Sequence, residues 1–585
     1  MAMKNLLIFL SALLAALLAV FLVPTTTTER WWSLKSRLSS SLEVADLVVT
    51  NAVIYTSDSS LPFAQAMAIR NGRIIRIGTH SSVQDLLRLG TKVINLNGKI
   101  VVPGFIDSHV HFISGGLQMA QVELYGVNNK DEFIRKIKEA VRDKQPGSWI
   151  LGGGWNNDQW GGDLPIASWI DEITPNNPVW LSRMDGHMGL ANSFSLTMAG
   201  ITNYTQDPVG GTVMKTADGE PTGLLIDSAM KLLLSIIPEV SVDDRRDALV
   251  RASKFALTRG VTTVVDFGRY FPGAEVKNVW DDLSDVYQWA DFKGKMLIRV
   301  CLFFPMETWS RLLDLINRTG RVLSQWIYLA GVKAFSDGSL GSNSALFYEP
   351  YMNEPDNYGL QVTQIDSLYN MTLASDKSGL QVAVHAIGDR ANDMILDLYE
   401  SVASSNGRRD RRFRVEHAQH LVPGTAARFG EQRVIASVQP DHLLDDAGSA
   451  EKKLGLERAV TGSYMFGSLL AGNTILAFGS DWPVAKINPL GAIKTAMKRT
   501  PPGWEDPWIP SECVTLTDAL KASTISAAYA SFLDNDLGSL SPGKFADFVV
   551  LSTNSWNELE TDISASVEAT YVGGIQAYPE LESDI

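Results

Sequence analysis

Eight short apolar runs, alternating with helical stretches, constrain this 585-residue chain more than any other feature. The runs end near His111, Asp266, Leu302, Phe335, His385, His417, Gln439 and Ser480. Strand-like runs that alternate with helices indicate a parallel α/β fold, because two parallel strands need a long crossover between them and a helix supplies it. Eight such units predict a closed (β/α)8 TIM barrel with its chemistry at the carboxyl ends of the strands. The stretch from about 113 to 255 does not fit the count and reads as an insertion after the first strand. Long insertions on that face build substrate pockets.

The two ends read differently from the middle. "ADLVVTNAVIYTSD", "FAQAMAIRNGRIIRIGT" and "KVINLNGKIVVPG" on one side, and "GSLSPGKFADFVVLST" and "ASVEATYVGGIQAY" on the other, are short strands punctuated by Asn-Gly and Gly/Pro turns. Neither end has enough strands to bury an apolar face alone, so one small β-sandwich built from both is expected. The expected division is 1–43 anchor and linker, 44–102 first half of the sandwich, 103–535 barrel, and 536–585 second half.

Residues 6–23, "LLIFLSALLAALLAVFLV", carry no charge over 18 positions, about 27 Å as a helix and just long enough to cross a bilayer core. Arg30-Trp31-Trp32 behind them resembles an interfacial flank, so a retained signal anchor in the endoplasmic reticulum or secretory pathway is expected, with a cleaved signal as the alternative. Orientation is not set by the flanking charges. A net charge of −14 argues against nucleic acid as a partner. Cys301 and Cys513 are the only cysteines, which excludes a disulfide framework and any C-x-x-C metal motif.

The polar residues at the strand ends then form one group. His109 and His111 are two apart, so on a strand both imidazoles point the same way and can meet one metal ion. "VHAIGDR" ends a strand at His385, "RVEHAQH" at His417, "GVKAFSDGS" places Lys333 in the fourth strand, and "LAFGSDWP" places Asp481 just past the eighth. Taken singly these are a backbone-bonded core histidine, a snorkelling lysine and a turn-forming aspartate. Six of them on one rim is what those explanations do not cover.

With "PGFIDSHVH", "GVKAFSDGSLGS", "VHAIGD", "VEHAQ", "GSDWP" and "SPGKFADFVVL" in this order, the chain after residue 43 resembles the amidohydrolase superfamily. More narrowly it resembles the YtcJ-like branch, which includes enzymes acting on N-substituted formamides, and the full chain is similar to a plant member of it. The resemblance implies that His109 and His111 hold one metal ion, His385 and His417 a second, and a carboxylated Lys333 bridges them. Zinc is the ion expected for imidazole and carboxylate-type oxygen ligands with an open position, manganese and iron being the other candidates. Asp389 and Glu416 are candidate acceptors for imidazole N–H groups, or else solvated charges.

Asp481 is then implied as general base and general acid in metal-assisted hydrolysis. "SRMDGHMG" resembles a substrate-loop motif of the branch, making His187 a candidate oxyanion donor or a structural histidine. His442 in "VQPDH" has the same standing. Trp155 and Trp160 could wall an apolar pocket or pack the insertion's core. The expected activity is hydrolysis of a non-peptide C–N bond in an N-acyl or N-formyl compound. A cyclic-amide hydrolase or deaminase is the second reading, and a membrane-tethered scaffold without catalysis the third. Expected partners are a small amide-type substrate and the membrane, with a homodimer left open.

Overall fold

The computed structural model describes residues 44–142 and 144–580. Eight parallel strands, Phe105–Val110, Val261–Asp266, Arg299–Pro305, Ile327–Phe335, Gln381–Ala386, Arg414–His417, Ile435–Val438 and Leu476–Phe478, pair in sequential order. They are called barrel strands 1 to 8 below. Every residue in them is buried. That burial explains why they read as largely apolar, β-branched or aromatic runs such as "VTTVVD" and "RVCLFFP": helices cover the outside and packed side chains fill the inside.

The barrel is nearly closed. Strands 8 and 1 meet at a single parallel bridge between Val110 and Trp482. There the His111 N–H donates to the Trp482 carbonyl at 2.8 Å and the Asp481 N–H to the His109 carbonyl at 2.7 Å. The seam of the barrel therefore ties the histidine pair to the turn that carries Asp481.

Between strands 1 and 2 the chain builds a six-stranded sheet, in spatial order Val122–Glu123, Ile150–Trp155, Val179–Arg183, Met188–Ala191, Pro221–Asp227 and Gly211–Lys215. Helix Val242–Thr258 returns the chain to the barrel. Its Ser241 side chain accepts the Asp244 N–H, and Asp243 and Asp244 complement the positive end of the helix dipole. It crosses helix Phe112–Gln118 so closely that a Cβ on Gly116 would lie 2.3 Å from the Ala248 carbonyl oxygen. Only glycine fits there.

The chain ends form two further sheets. One pairs Arg73–Gly78, Ala66–Arg70, Leu47–Thr50 and Lys92–Asn95; the other pairs Ile575–Tyr578, Val567–Val572, Phe548–Leu551, Ile100–Pro103, Val53–Tyr55 and Phe63–Ala64. Phe548–Leu551 runs antiparallel to Ile100–Pro103, joining carboxyl-terminal to amino-terminal strands. Val49, Met67 and Ile69 of the first sheet share one core with Val101, Phe548 and Tyr571 of the second.

These sheets are clamped to the barrel by Arg299, whose Nε and Nη2 donate to Asp547 at 2.7 and 3.0 Å. Both side chains are buried, and the guanidinium lies 3.8 Å from the centre of the Phe545 ring. Arg299→Ala would leave Asp547 charged and largely unpaired in the interior, so a loss of about 3–5 kcal/mol is expected. Urea unfolding of the variant measures it. A loss below about 1 kcal/mol, the scale of a surface ion pair, would show the clamp to be dispensable.

The membrane-anchored localisation expected from residues 6–23 is corrected. Those positions lie outside the described residues, and among the described residues no helix is long and apolar enough to cross a membrane. A membrane anchor therefore has no support among the described residues.

Candidate metal centre

The six rim residues converge. His109 is in strand 1, with His111 just beyond it as the first turn of the next helix begins; Lys333 lies in strand 4, His385 in strand 5, and His417 ends strand 6. Asp481 follows strand 8 in a turn, with φ of +57°. All six are buried. Ring centroids are 5.7 Å apart for His109 and His111, 5.2 Å for His109 and His417, and 4.5 Å for His385 and His417. Ligand atoms of His109, His417 and Asp481 lie within 4.8 Å of one another.

Each of the four histidines uses one ring nitrogen on a protein oxygen and keeps the other free. His109 Nδ1 is 2.7 Å from Glu416 Oε2, His111 Nδ1 2.7 Å from the Gly268 carbonyl, His385 Nε2 2.9 Å from the Gly338 carbonyl, and His417 Nδ1 2.7 Å from Gln439 Oε1. Metal-binding histidines are oriented this way, since an acceptor on one nitrogen selects the tautomer that leaves a lone pair on the other. Glu416 is itself held by Arg414, at 2.7 Å to Oε1 and 3.1 Å to Oε2, in a fully buried pair.

Lys333 Nζ and Asp481 Oδ1 are the exceptions. Both atoms are buried without a hydrogen-bond partner, although Asp481 Oδ1 lies 3.4 Å from His109 Nε2 and 3.5 Å from His111 Nε2. The Lys333 Nζ lies over the Phe267 and Phe335 rings, 4.4 and 4.9 Å from their centres. Buried orphans of this kind are costly and mark a missing partner. Burial also holds His109, His385 and His417 well below the usual histidine range, helped by Lys333 and by the neighbouring imidazoles. Neutral imidazole is the form that binds metal. Burial lowers the Lys333 ammonium against the pull of Glu416 and Asp481, and raises the Asp481 carboxyl. Orphaned Lys333 and Asp481 among four neutral, oriented imidazoles are a donor set that fits divalent metal ions.

These side chains line a cavity of about 260 Å³. His187 lines it too, with its Nδ1 2.6 Å from Oδ1 of the fully buried Asp227. Burial pulls the His187 imidazole down, but Asp227, with Asp185 and Asp337 nearby, raises it above the usual range. His442 Nε2 is 3.3 Å from the Ser480 carbonyl, and its ring is 6.1 Å from that of His417.

The structure decides three readings that the sequence left open. Asp389 serves the main chain, accepting the Tyr348 and Arg390 N–H groups, and does not meet His385. Trp155 is fully buried in the insertion core, its Nε1 donating to the Leu181 carbonyl, and Trp160 packs edge-on against Phe133. Neither walls the cavity; Trp180 does. The sequence reading also missed Asp227 and Gln439, which show no motif, and the Gly268 and Gly338 carbonyls, which no side-chain pattern could reveal.

A family model described as the amidohydrolase family matches residues 92–578. This chain belongs to the amidohydrolase family. The amidohydrolase is 65% identical over 571 residues to Protein LONG AFTER FAR-RED 3 of Arabidopsis thaliana, with 98% of each chain covered. It is 32% identical to YtcJ of Bacillus subtilis (strain 168), covering 85% of this chain and 93% of that one. To the N-substituted formamide deformylase of Arthrobacter pascens it is 27% identical, covering 92% and 99%. Among solved structures, an uncharacterized metal-dependent hydrolase from Pyrococcus horikoshii OT3 superposes with a TM-score of 0.68 at 27% identity, covering 87% of this chain and 97% of the other. The amidohydrolase thus shares fold and family with metal-dependent hydrolases, and its His/Asp cluster can hold a metal ion.

Proposed function

We propose that this amidohydrolase hydrolyses a non-peptide C–N bond of an amide, in an N-acyl or N-formyl compound. The observation that carries the reading is the orphaned pair of Lys333 Nζ and Asp481 Oδ1 among four imidazoles already oriented by protein acceptors. The name of the Arthrobacter pascens relative supports the choice of an amide-type bond. His109 and His111 would hold one divalent ion, His385 and His417 a second, and Lys333 would reach both as a carbamate formed from its neutral amine and carbon dioxide with loss of a proton. Zinc is the proposed ion. Bound there, the ions supply Lewis acidity toward a substrate carbonyl and make water a better proton donor.

The chain's own residues do the rest. Asp481 accepts the proton of the attacking water and returns it to the leaving nitrogen, so that an amine departs instead of an amide anion. His187 donates to the carbonyl oxygen as charge builds on it. Asp227 fixes the ring that donates, and Asp227→Asn weakens that support without removing bulk. A fall in kcat of about 10- to 100-fold is expected, on the scale of lost outer-shell orientation, with KM nearly unchanged. A rise in KM at constant kcat would place His187 in substrate binding alone.

Elemental analysis and a screen of N-acyl and N-formyl amines test the reading. About two equivalents of metal per chain are expected. Chelation should abolish turnover, and zinc with bicarbonate should restore it better than zinc alone. Undiminished activity in metal-free protein would overturn the proposal.

A further inference from the structure

The walls of the catalytic cavity differ in character from its floor. Above the rim residues stand Leu151 and Trp180 from the insertion sheet, Leu234 and Ile237 from the segment behind it, and Phe271 from the loop after barrel strand 2. Leu151, Leu234, Ile237 and Phe271 are partly exposed and pack against one cluster around Trp180. Trp180 is held in place from the neighbouring strand: a Cβ on Gly189 would lie 2.1 Å from its ring. Apolar side chains that five separate positions turn toward one cavity are a recognition surface, since partly exposed apolar groups gain most from an apolar ligand.

The charges around the same cavity are spoken for. Arg183 is held by Asp185 at 2.7 Å and Asp158 at 3.0 Å. Arg269 is held by Asp282 at 2.7 Å and Glu239 at 3.3 Å. Lys333 belongs to the floor. Among the described residues lining the cavity, no other lysine or arginine is present to receive an anion.

Resting on the amide reading above, we infer that the substrate is a neutral amide bearing an apolar substituent, and that the cavity rejects amides carrying a free carboxylate, N-acyl amino acids included. A carboxylate placed on this wall would lose its water and find no lysine or arginine free of an acidic partner, which is far costlier than burying the same skeleton without it. The cavity of about 260 Å³ has room for an arylalkyl group or a medium alkyl chain.

N-formyl-2-phenylethylamine and N-formyl-L-phenylalanine differ by one carboxylate and make the test. With the zinc-loaded full chain, kcat/KM is expected to favour the neutral compound by at least about 100-fold. Along N-formylpropylamine, N-formylbutylamine and N-formylpentylamine it should rise about fourfold per methylene. Leu151→Arg and Phe271→Arg, on separate elements so that one misfolded variant does not decide the matter, should each move the ratio toward the acid by about tenfold or more. Equal or better cleavage of N-formyl-L-phenylalanine by the wild type overturns the inference, as does a ratio unmoved in both folded variants. If neither compound is cleaved and the wider screen of N-acyl and N-formyl amines also yields no substrate, the amide reading fails, and calorimetric binding of the same pair decides the cavity on its own. Tighter binding of the neutral compound sustains the apolar site; equal binding ends it.

Discussion

Asp481→Asn is expected to lower kcat by about 10²- to 10⁴-fold, near the upper end of that range, while metal content and fold stay almost unchanged. The position of residue 481 is set by the main chain. Its N–H donates to the His109 carbonyl at 2.7 Å, and Ser480 before it is held by Asp107 through both its N–H, at 2.9 Å, and its Oγ, at 2.6 Å. The Asp481 Oδ1 atom makes no hydrogen bond, so an amide in its place removes no structural bond there. A change of stability within about 1 kcal/mol follows for a nearly isosteric replacement. In the proposed centre, four histidines and Lys333 would remain to hold metal. What asparagine cannot do is take a proton from water and hand it to nitrogen. A 10⁴-fold loss corresponds to about 5.5 kcal/mol of transition-state stabilisation, a large share of what one acid–base group can supply. Turnover close to wild type would remove Asp481 from the proton transfers, whereas complete loss of metal would recast it as an essential ligand.

Lys333→Ala is expected to lose metal and activity together. The lysine is fully buried in barrel strand 4, facing the His pairs of strands 1, 5 and 6, with two aromatic rings instead of an acceptor beside its ammonium. As an ammonium it would repel both proposed ions; as a carbamate it would offer them two oxygens that share one negative charge. Removing it should weaken metal binding by about 100-fold or more, the upper range seen even for outer-shell ligand partners, and turnover should fall on the order of 10⁴-fold. Acetate or propionate, small carboxylates with the same pair of oxygens, should restore part of both in the space the side chain vacates. Metal titration and activity, with and without the added carboxylate, are the measurements. Full metal occupancy in the alanine variant would sink the bridging role.

Much of this site was legible because of where the residues fall along the chain. Barrel strands are buried on both faces, so each is rich in apolar residues, and the polar ones gather toward the strand ends or sit where a buried partner holds them, as Arg414 and Glu416 hold each other. His385, His417 and Lys333 stand at or near such ends, and the observed strands finish within three residues of the expected positions. The His109 and His111 pair was readable because residues two apart on extended chain share a face. Trp155 and Trp180 show the limit of that reading. Both lie in the insertion sheet, both are buried, and local pattern does not say that the first points into the core and the second toward the cavity.

The sequence by itself determined the barrel, the order of its strands and the identity of the residues on its rim, because those follow from short-range periodicity and from which side chains an apolar interior excludes. Only the tertiary structure decided which nitrogen of each histidine is free. That choice depends on acceptors far away along the chain, with Glu416 meeting His109 across 307 positions and Gly268 meeting His111 across 157. It likewise decided that Asp227 stands behind His187, 40 positions away, and that both arginines at the cavity are already neutralised. Hydrogen bonds and ion pairs act over a few ångströms of space, whatever the distance along the chain. Their partners become definite only once the packing of the barrel and its insertion has brought them together.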